Sequence, residues 1–371
     1  MLNYIIRRLM LMVPTLLGIT LLVFLVMGLA PGGVAAALLS AEGAMRPQER
    51  EAMRAYLNQR YGLDKPLLVQ YGRWLNQVSP VGFRTYQPDD AAVLDGRRQA
   101  GHVQFTRPVL RAPNLGESFL RRRPVLAVIG EALPVTLLLN VITIPIIYAV
   151  SITVGIRAAR QRGKTFDVAS GTLLIALWSM PTMWVGVMAV GFLASARYLG
   201  WFPIGGLHDT MAPMMSFLPS WGAGGFERGW LLDTMWHLVL PVACLTYGGF
   251  AFLTKLMRAA VLENLSADFA RTARAKGLSE RIVLYRHVLR NSILPLITVA
   301  AGILPGLLGG SLIVENIFSI NGMGTLMIEG IRMRDRELIL AQTLVVGFIS
   351  LVSLLIADIC YAIADPRVSY E

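Results

Sequence analysis

The chain has 371 residues, 55% of them hydrophobic and 15% charged, with a mean hydropathy of +0.57 and a formal net charge of +11. Soluble domains carry about 25% charged residues, so this balance excludes an ordinary soluble domain and points to a membrane protein. The basic excess does not indicate nucleic acid, because no basic stripe interleaved with aromatics occurs in a soluble segment.

Apolar runs of about 20 residues can cross a bilayer as helices. Six such spans are expected, at 9–30, 133–156, 168–195, 236–256, 293–317 and 339–363. The first follows Arg7 and Arg8 and ends Gly28-Leu29-Ala30, which resembles a signal-peptide cleavage site. Its apolar run exceeds the usual signal core of about 7–15 residues, so a retained helix over 1–30 is expected. Residues 31–131 then form an external segment. An amphipathic helix is predicted at 47–61, stopped by Gly62. From Ser79 to Pro113 the chain turns to Pro, Gly, Asp and Arg with little periodicity, and irregular loop without assignable chemistry is expected. Residues 132–366 hold the other five spans, and 367–371 form a tail. Prolines at 145, 181, 241, 295 and 305 fall inside or at the edges of spans, where neighbouring helices and water satisfy the freed carbonyls.

Lys and Arg in the short connections orient the spans. Arg157, Arg160, Arg162 and Lys164 lie between the second and third, and eight more basic residues run from Lys255 to Arg290. The other side has Arg197 and Arg228, then Arg332, Arg334 and Arg336. Both termini are therefore expected in the cytoplasm. The 14 basic residues of 31–131 do not count against this, since long segments translocate largely regardless of charge.

Catalytic chemistry finds little support. Residues 158–165, AARQRGKT, come nearest to a phosphate-binding loop, but Ala158 stands where that loop needs Gly and a membrane helix precedes it instead of a strand. The chain is not expected to hydrolyse ATP itself. His102, His208, His237 and His287 share no metal-ligand spacing. Cys244 and Cys360 lie far apart in apolar segments and give neither a disulfide framework nor a metal motif. No Ser sits in a nucleophile-elbow setting. Glu315, Asp358 and Asp365 lie near span ends, where structural pairing or gating is expected before ion coupling.

The polar loop 271–295, RTARAKGLSERIVLYRHVLRNSILP, carries more than orientation requires. Ser266 is expected to cap a helix over 267–276 with Asp268 in its first turn, Arg274 and Lys276 in its last, and Gly277 at the stop. Ser279 is expected to start a second helix bearing Arg281, Arg286, His287 and Arg290. Phe269, Ala270 and Ala273 give the first helix a small apolar face, with Arg271, Arg274 and Lys276 around it, a pattern suited to docking in a groove on another protein.

Within 268–295, DFARTARAKGLSERIVLYRHVLRNSILP resembles the cytoplasmic signature loop of permease subunits of bacterial peptide ABC importers, the dipeptide/oligopeptide/nickel branch. Arg271-Thr272-Ala273, Gly277 and Leu294-Pro295 stand at the signature positions, with Arg271 where importers at large carry Glu, as is usual in the peptide branch. The resemblance extends to the N-terminal MLNYIIRRLMLMVPTLLGITLLVFLVMGLAPGG, to YGLDKPLLVQYGRWL at 61–75 and to NLGESF at 114–119, where Asn114 takes an Asp position. RRPVLAVIGEALPVTLLL, WHLVLPV, GSLIVENIFSINGMG and DPRVSYE also fit. The run 79–113 departs from the pattern as an insertion.

The resemblance implies an all-α, six-helix type I importer permease in the inner membrane, with a large external segment after the first helix. It implies a cytoplasmic coupling loop at 257–292 whose helix carries Asp268, Phe269, Arg271, Thr272, Ala273, Arg274, Ala275, Lys276 and Gly277 toward an ATPase. It implies as partners a similar second permease chain, two ATP-binding subunits and an external substrate-binding protein, with ATP and Mg held by the ATPases and no cofactor on this chain. Spans three to five are expected to line the pathway, with Ser179, Met180, Thr182, Ser311, Glu315 and Asn316 as candidates. Pro295 and Asn291 fit a hinge, and Lys255 and Arg258 an anchor. Peptides are the expected cargo; nickel chelates are the alternative within the family, and an ion-coupled secondary transporter or a membrane enzyme the alternatives outside it.

Overall fold

A computed structural model of the chain describes residues 2–29, 64–85, 103–119, 121–222, 225–300 and 310–364, with a few isolated positions elsewhere. The predicted amphipathic helix at 47–61, nearly all of 86–102, and the tail lie outside the described residues. In order the elements are α1 (Leu2–Leu29), α2 (Leu67–Val78), β1 (Val81–Thr85), β2 (Val103–Leu110), α3 (Val125–Arg160), α4 (Thr165–Ser179) and α5 (Thr182–Met188), the last continued by a π-helical turn, Ala189–Ala194. There follow β3 (Ser220–Gly222), β4 (Gly225–Glu227), α6 (Gly229–Ser266), α7 (Asp268–Ala275), a helical stretch at 280–292, α8 (Leu312–Ile317), α9 (Met323–Met333) and α10 (Arg336–Ala364).

Among the described residues four helices are long and apolar enough to cross a membrane, at Tyr4–Leu29, Val125–Arg160, Gly229–Ser266 and Arg336–Ile356. A bent pair, Thr165–Ser179 with Thr182–Ala194, makes a fifth if taken as one span. Of the expected span 293–317, residues 301–309 lie outside the described residues. The expected third span, 168–195, is not one rod: it bends by 90° between Ser179 and Thr182. Pro181 has no amide to donate and pushes the residue before it out of the helical region. Met180 accordingly takes φ −83, ψ 124.

The chain divides into two compact units, Met1–Glu131 with Met327–Ile349, and Ala132–Leu326 with Ser350–Glu371. In the second, α3 and α6 approach closely at small residues. A Cβ on Gly155 would meet the Met257 side chain at 2.8 Å, and one on Gly249 would meet Ile147 at 2.8 Å. Small residues let membrane helices pack where lipid offers no hydrophobic contrast. One apolar cluster gathers Ile156, Leu253, Met257, Val261, Val283 and Val288; another gathers Leu139, Leu238, Cys244, Val314 and Phe318. Helix α6 has 38 residues and ends at Ser266. Its expected span stops at 256, so its last ten residues reach about 15 Å further.

The first unit adds antiparallel strands where irregular loop was expected. Strand β1 pairs with β2, Val81 opposite Leu110 and Thr85 opposite Val103, with a bulge between Gly82 and Arg84. Pro108 falls in the stretch of β2 facing that bulge, a place where a missing amide costs no ladder bond. The motif residues also find their roles. The Tyr71 hydroxyl lies 2.9 Å from Thr20 Oγ1 and donates to Leu17 O at 3.0 Å, and its ring meets Phe24 edge-on. This fastens α2 to α1.

Arg336, counted above among loop cations, is instead 4% exposed. Its guanidinium donates to Gln70 Oε1 at 2.9 Å and Glu337 Oε1 at 3.1 Å and sits over the Phe24 ring. Ser118 donates to Asp335 Oδ2 at 2.6 Å, and Arg121 pairs with Glu329. Gly116 has φ +82, and a Cβ there would lie 2.7 Å from Glu337 Oε2. The NLGESF motif is thus the strap that fits against the start of α10. Gly116→Ala is expected to lower the apparent thermal midpoint of the purified transporter, with a loss on the order of 1–3 kcal/mol. An unchanged midpoint would refute this packing.

Candidate coupling surface

Helix α7, the expected coupling helix, follows directly on the end of α6. Ser266, expected as its cap, is the last residue of α6, and its Oγ donates back to Glu263 O at 2.8 Å. Ala267 takes the cap position, φ −68 and ψ 153, with no side-chain bond. The cause is local: a serine inside a helix satisfies its hydroxyl most easily on the preceding turn. The far end is closed as the sequence suggests. Gly277 N donates to Arg274 O at 2.9 Å and Leu278 N to Ala273 O at 3.3 Å, a complete Schellman closure. Gly277 sits at φ +76 with nothing within 4 Å of a Cβ, so conformation rather than crowding demands glycine.

The apolar face of α7 is divided. Ala270 and Ala273 are 0% and 5% exposed and belong to the core with Met257, Val261, Val283 and Val288. They are not offered to a partner, contrary to expectation; only Phe269, 37% exposed, points outward. Asp268, Arg271, Thr272, Ala275 and Lys276 are exposed beside it. Arg271 pairs loosely with Asp268 at 3.5 Å, both side chains in solvent, a contact worth little by itself. Arg274 is different. It donates to Glu280 Oε1 at 2.7 Å and to Leu265 O at 3.1 Å, tying α7 both to the end of α6 and to the next helix.

The stretch 280–292 starts after Ser279, as expected, though without a side-chain cap bond, and runs through a π-helical segment at Val283–Val288. Arg281, Ile282, Tyr285 and Arg286 line an open groove on its outer side. The basic pair was legible in the sequence; the apolar Ile282 and Tyr285 were missed, though their i, i+3 spacing among arginines was the available signal.

A further clamp was missed. Arg258, expected as an anchor, donates through Nε and Nη2 to Asp167 at 2.6 and 2.8 Å, and Gly163 N donates to the same carboxylate at 2.9 Å. This bidentate pair joins the first turn of α4 to α6 two turns before its end. Asp167 is the one acid in 157–167, following four basic residues and standing in the first turn of a helix, which is the signal that could have found it.

The candidate pathway residues fall into two groups. Ser179, Met180 and Thr182 lie at the bend. The Tyr247 hydroxyl is 2.9 Å from Met180 O and 3.3 Å from Thr182 Oγ1, and Ser179 Oγ donates to Ile175 O. Ser311, Glu315 and Asn316 lie at α8. Ser311 caps it, accepting from Val314 N at 3.3 Å. Glu315 is 0% exposed. Its carboxyl oxygens accept from the amides of Ser311, Gly324 and Thr325 and from Thr136 Oγ1, at 2.7–3.2 Å. Such a group holds a turn together and presents no atom to a passing solute. Asn316 is half-buried. Helix α5 packs on α8, with a Cβ on Gly186 3.1 Å from Ile317.

Residues 151–370 match the family described as "Binding-protein-dependent transport system inner membrane component", and residues 1–140 match its N-terminal counterpart. The chain is 33% identical over 369 residues, 99% of both proteins, to the Oligopeptide transport system permease protein AppB of Bacillus subtilis. It is 30% identical over 401 residues, again 99% of each, to the Inner membrane ABC transporter permease protein YejB of Escherichia coli O157:H7. The chain belongs to the family of binding-protein-dependent transport system inner membrane components.

Proposed function

We propose that this chain is the permease subunit of an ATP-driven peptide importer and that it receives mechanical work through α7. The observation that carries the reading is the division of α7 into an inner face of Ala270 and Ala273, locked in the core, and an outer face of Phe269, Arg271, Thr272 and Lys276 in solvent. A helix held this way moves with α6 as one body when a partner grips its outer face. The full-length likeness to a protein named as an oligopeptide transport permease supports peptide as the cargo.

In this reading two ATP-binding subunits, holding ATP and Mg, seat the coupling helices of this chain and of a similar second permease chain. ATP binding closes the ATPase pair and opens the pathway between the permeases toward an external peptide-binding protein; hydrolysis resets it inward. The groove at Arg281, Ile282, Tyr285 and Arg286 extends the ATPase contact beyond α7. The Asp167–Arg258 clamp carries the motion of α6 into α4, and Ser179, Met180 and Thr182, at the Pro181 bend, line the pathway in this reading.

The reconstituted transporter, with both permeases and its ATPases, tests this. Gly277→Val places a β-branched residue at φ +76, a strain of about 1–3 kcal/mol. It is expected to cut ATP-dependent peptide uptake at least tenfold while the chain stays in the membrane; normal uptake would sink the reading. The double change Phe269→Ala with Arg271→Glu, which leaves the inner face of α7 intact, is expected to release the ATPase subunits in a pull-down without lowering the thermal midpoint. Uptake by this chain alone, with no ATPase present, would replace the reading with ion-coupled transport.

A further inference from the structure

We infer that residues 211–222 and 225–226 form a membrane-interface anchor, seated in the headgroup region of the leaflet opposite α7, an inference that rests on the proposed function. The segment leads into α6, whose other end carries α7, so the two ends of one membrane-crossing helix bear the two surfaces.

Its base is bolted to the first turn of α6. Trp230 N donates to Ser216 O at 2.8 Å and Leu231 N to Phe217 O at 3.0 Å, so two of the helix's unpartnered first amides are satisfied by this segment. The chains approach so closely that a Cβ on Gly229, at φ +68, would lie 2.5 Å from Leu218 O. The Phe217 and Trp230 rings stack with centroids 5.8 Å apart. One turn further along α6, Asp233 Oδ2 accepts from Asp209 N at 2.8 Å. The segment therefore stays at the depth where α6 leaves the bilayer.

What it exposes there is apolar. Met214 and Trp221 are 83% and 82% exposed, Phe217 63%, Leu218 59% and Phe226 54%. Trp221 and Phe226 are directly opposite in the β3–β4 ladder, with ring centroids 5.6 Å apart. From Thr210 to Phe226 the sequence has no Asp, Glu, Lys or Arg; charge returns only at Glu227 and Arg228. A loop in water or a rim that docks a soluble protein carries charge. Tryptophan and phenylalanine beside a helix end, without charge, suit the boundary between headgroups and acyl chains. The lipid surface is the occupant continuous with α6 itself.

The test uses the assembled transporter in phospholipid nanodiscs, with Cys244 and Cys360 replaced by alanine and a single cysteine at Trp221→Cys or, separately, Met214→Cys, labelled with a polarity-sensitive fluorophore. The expected result is blue-shifted emission at both positions, quenched at least twofold by lipids spin-labelled near the headgroup and little by aqueous iodide, and unchanged when the external binding protein is added. Iodide quenching without lipid quenching would overturn the inference. So would shielding that appears only with the binding protein, which would make the segment a docking surface for that protein. Emission insensitive to both quenchers would equally overturn it, by placing the segment against the second permease chain. The two positions report independently, so misfolding of one variant leaves the other to decide.

Discussion

Ala270 and Ala273 lie against Val283, Val288, Met257 and Val261, and the role proposed for α7 depends on that contact. An eight-residue helix is not stable by its own hydrogen bonds. Tertiary packing has to hold it, and small side chains at 270 and 273 let its backbone come close enough for the valines to do so. Arg274 adds a second fastening by bridging Leu265 and Glu280. The outcome is a short helix fastened on its inner face and at its C-terminal end. In the proposed role, force applied to its outer face reaches α6 directly, where a loop would absorb it.

The same unit shows how a membrane protein spends hydrogen bonds at its breaks. A bent span leaves backbone groups without helical partners, and in a bilayer water is not there to serve them. At the Pro181 bend the Tyr247 hydroxyl takes that place at Met180 O. Around α8, Glu315 gathers three backbone amides and the Thr136 hydroxyl into one buried cluster. Gly310, Gly322 and Gly324 crowd the same carboxyl, each with room only for hydrogen: a Cβ would come within 2.5–2.9 Å of it. The GSLIVENIFSINGMG motif is thereby explained as one folded object: an acceptor, a cap and the glycines that let the chain wrap them.

The first unit solves a different problem with charge. Asp335, Arg336 and Glu337 are buried in sequence, an expensive arrangement unless each is bonded. Gln70 on α2 and Ser118 on the NLGESF strap supply those bonds. An arginine that counts toward orientation in a sequence reading is here an internal fastener, which shows why loop charges predict topology only in aggregate.

The sequence by itself determined the membrane class, the basic loop on one side, the short helix ending at Gly277, and the family, because apolar run length, helix stop chemistry and contiguous motifs are local properties. Tertiary structure decided what those residues face. Ala270 and Ala273 read as a docking face and proved to be an anchoring one, since periodicity gives a stripe but not its neighbour. Ser266 read as a cap of the next helix, but α6 extends to it and ends there. The β1–β2 hairpin was hidden because Pro and Gly within 79–113 resemble loop chemistry until a bulge accommodates them. Asp167 with Arg258, Tyr247 with Met180, and Thr136 with Glu315 lie 67 to 179 positions apart in the chain. Hydrogen bonds across such separations are set by how helices cross, and no local pattern in one chain records that.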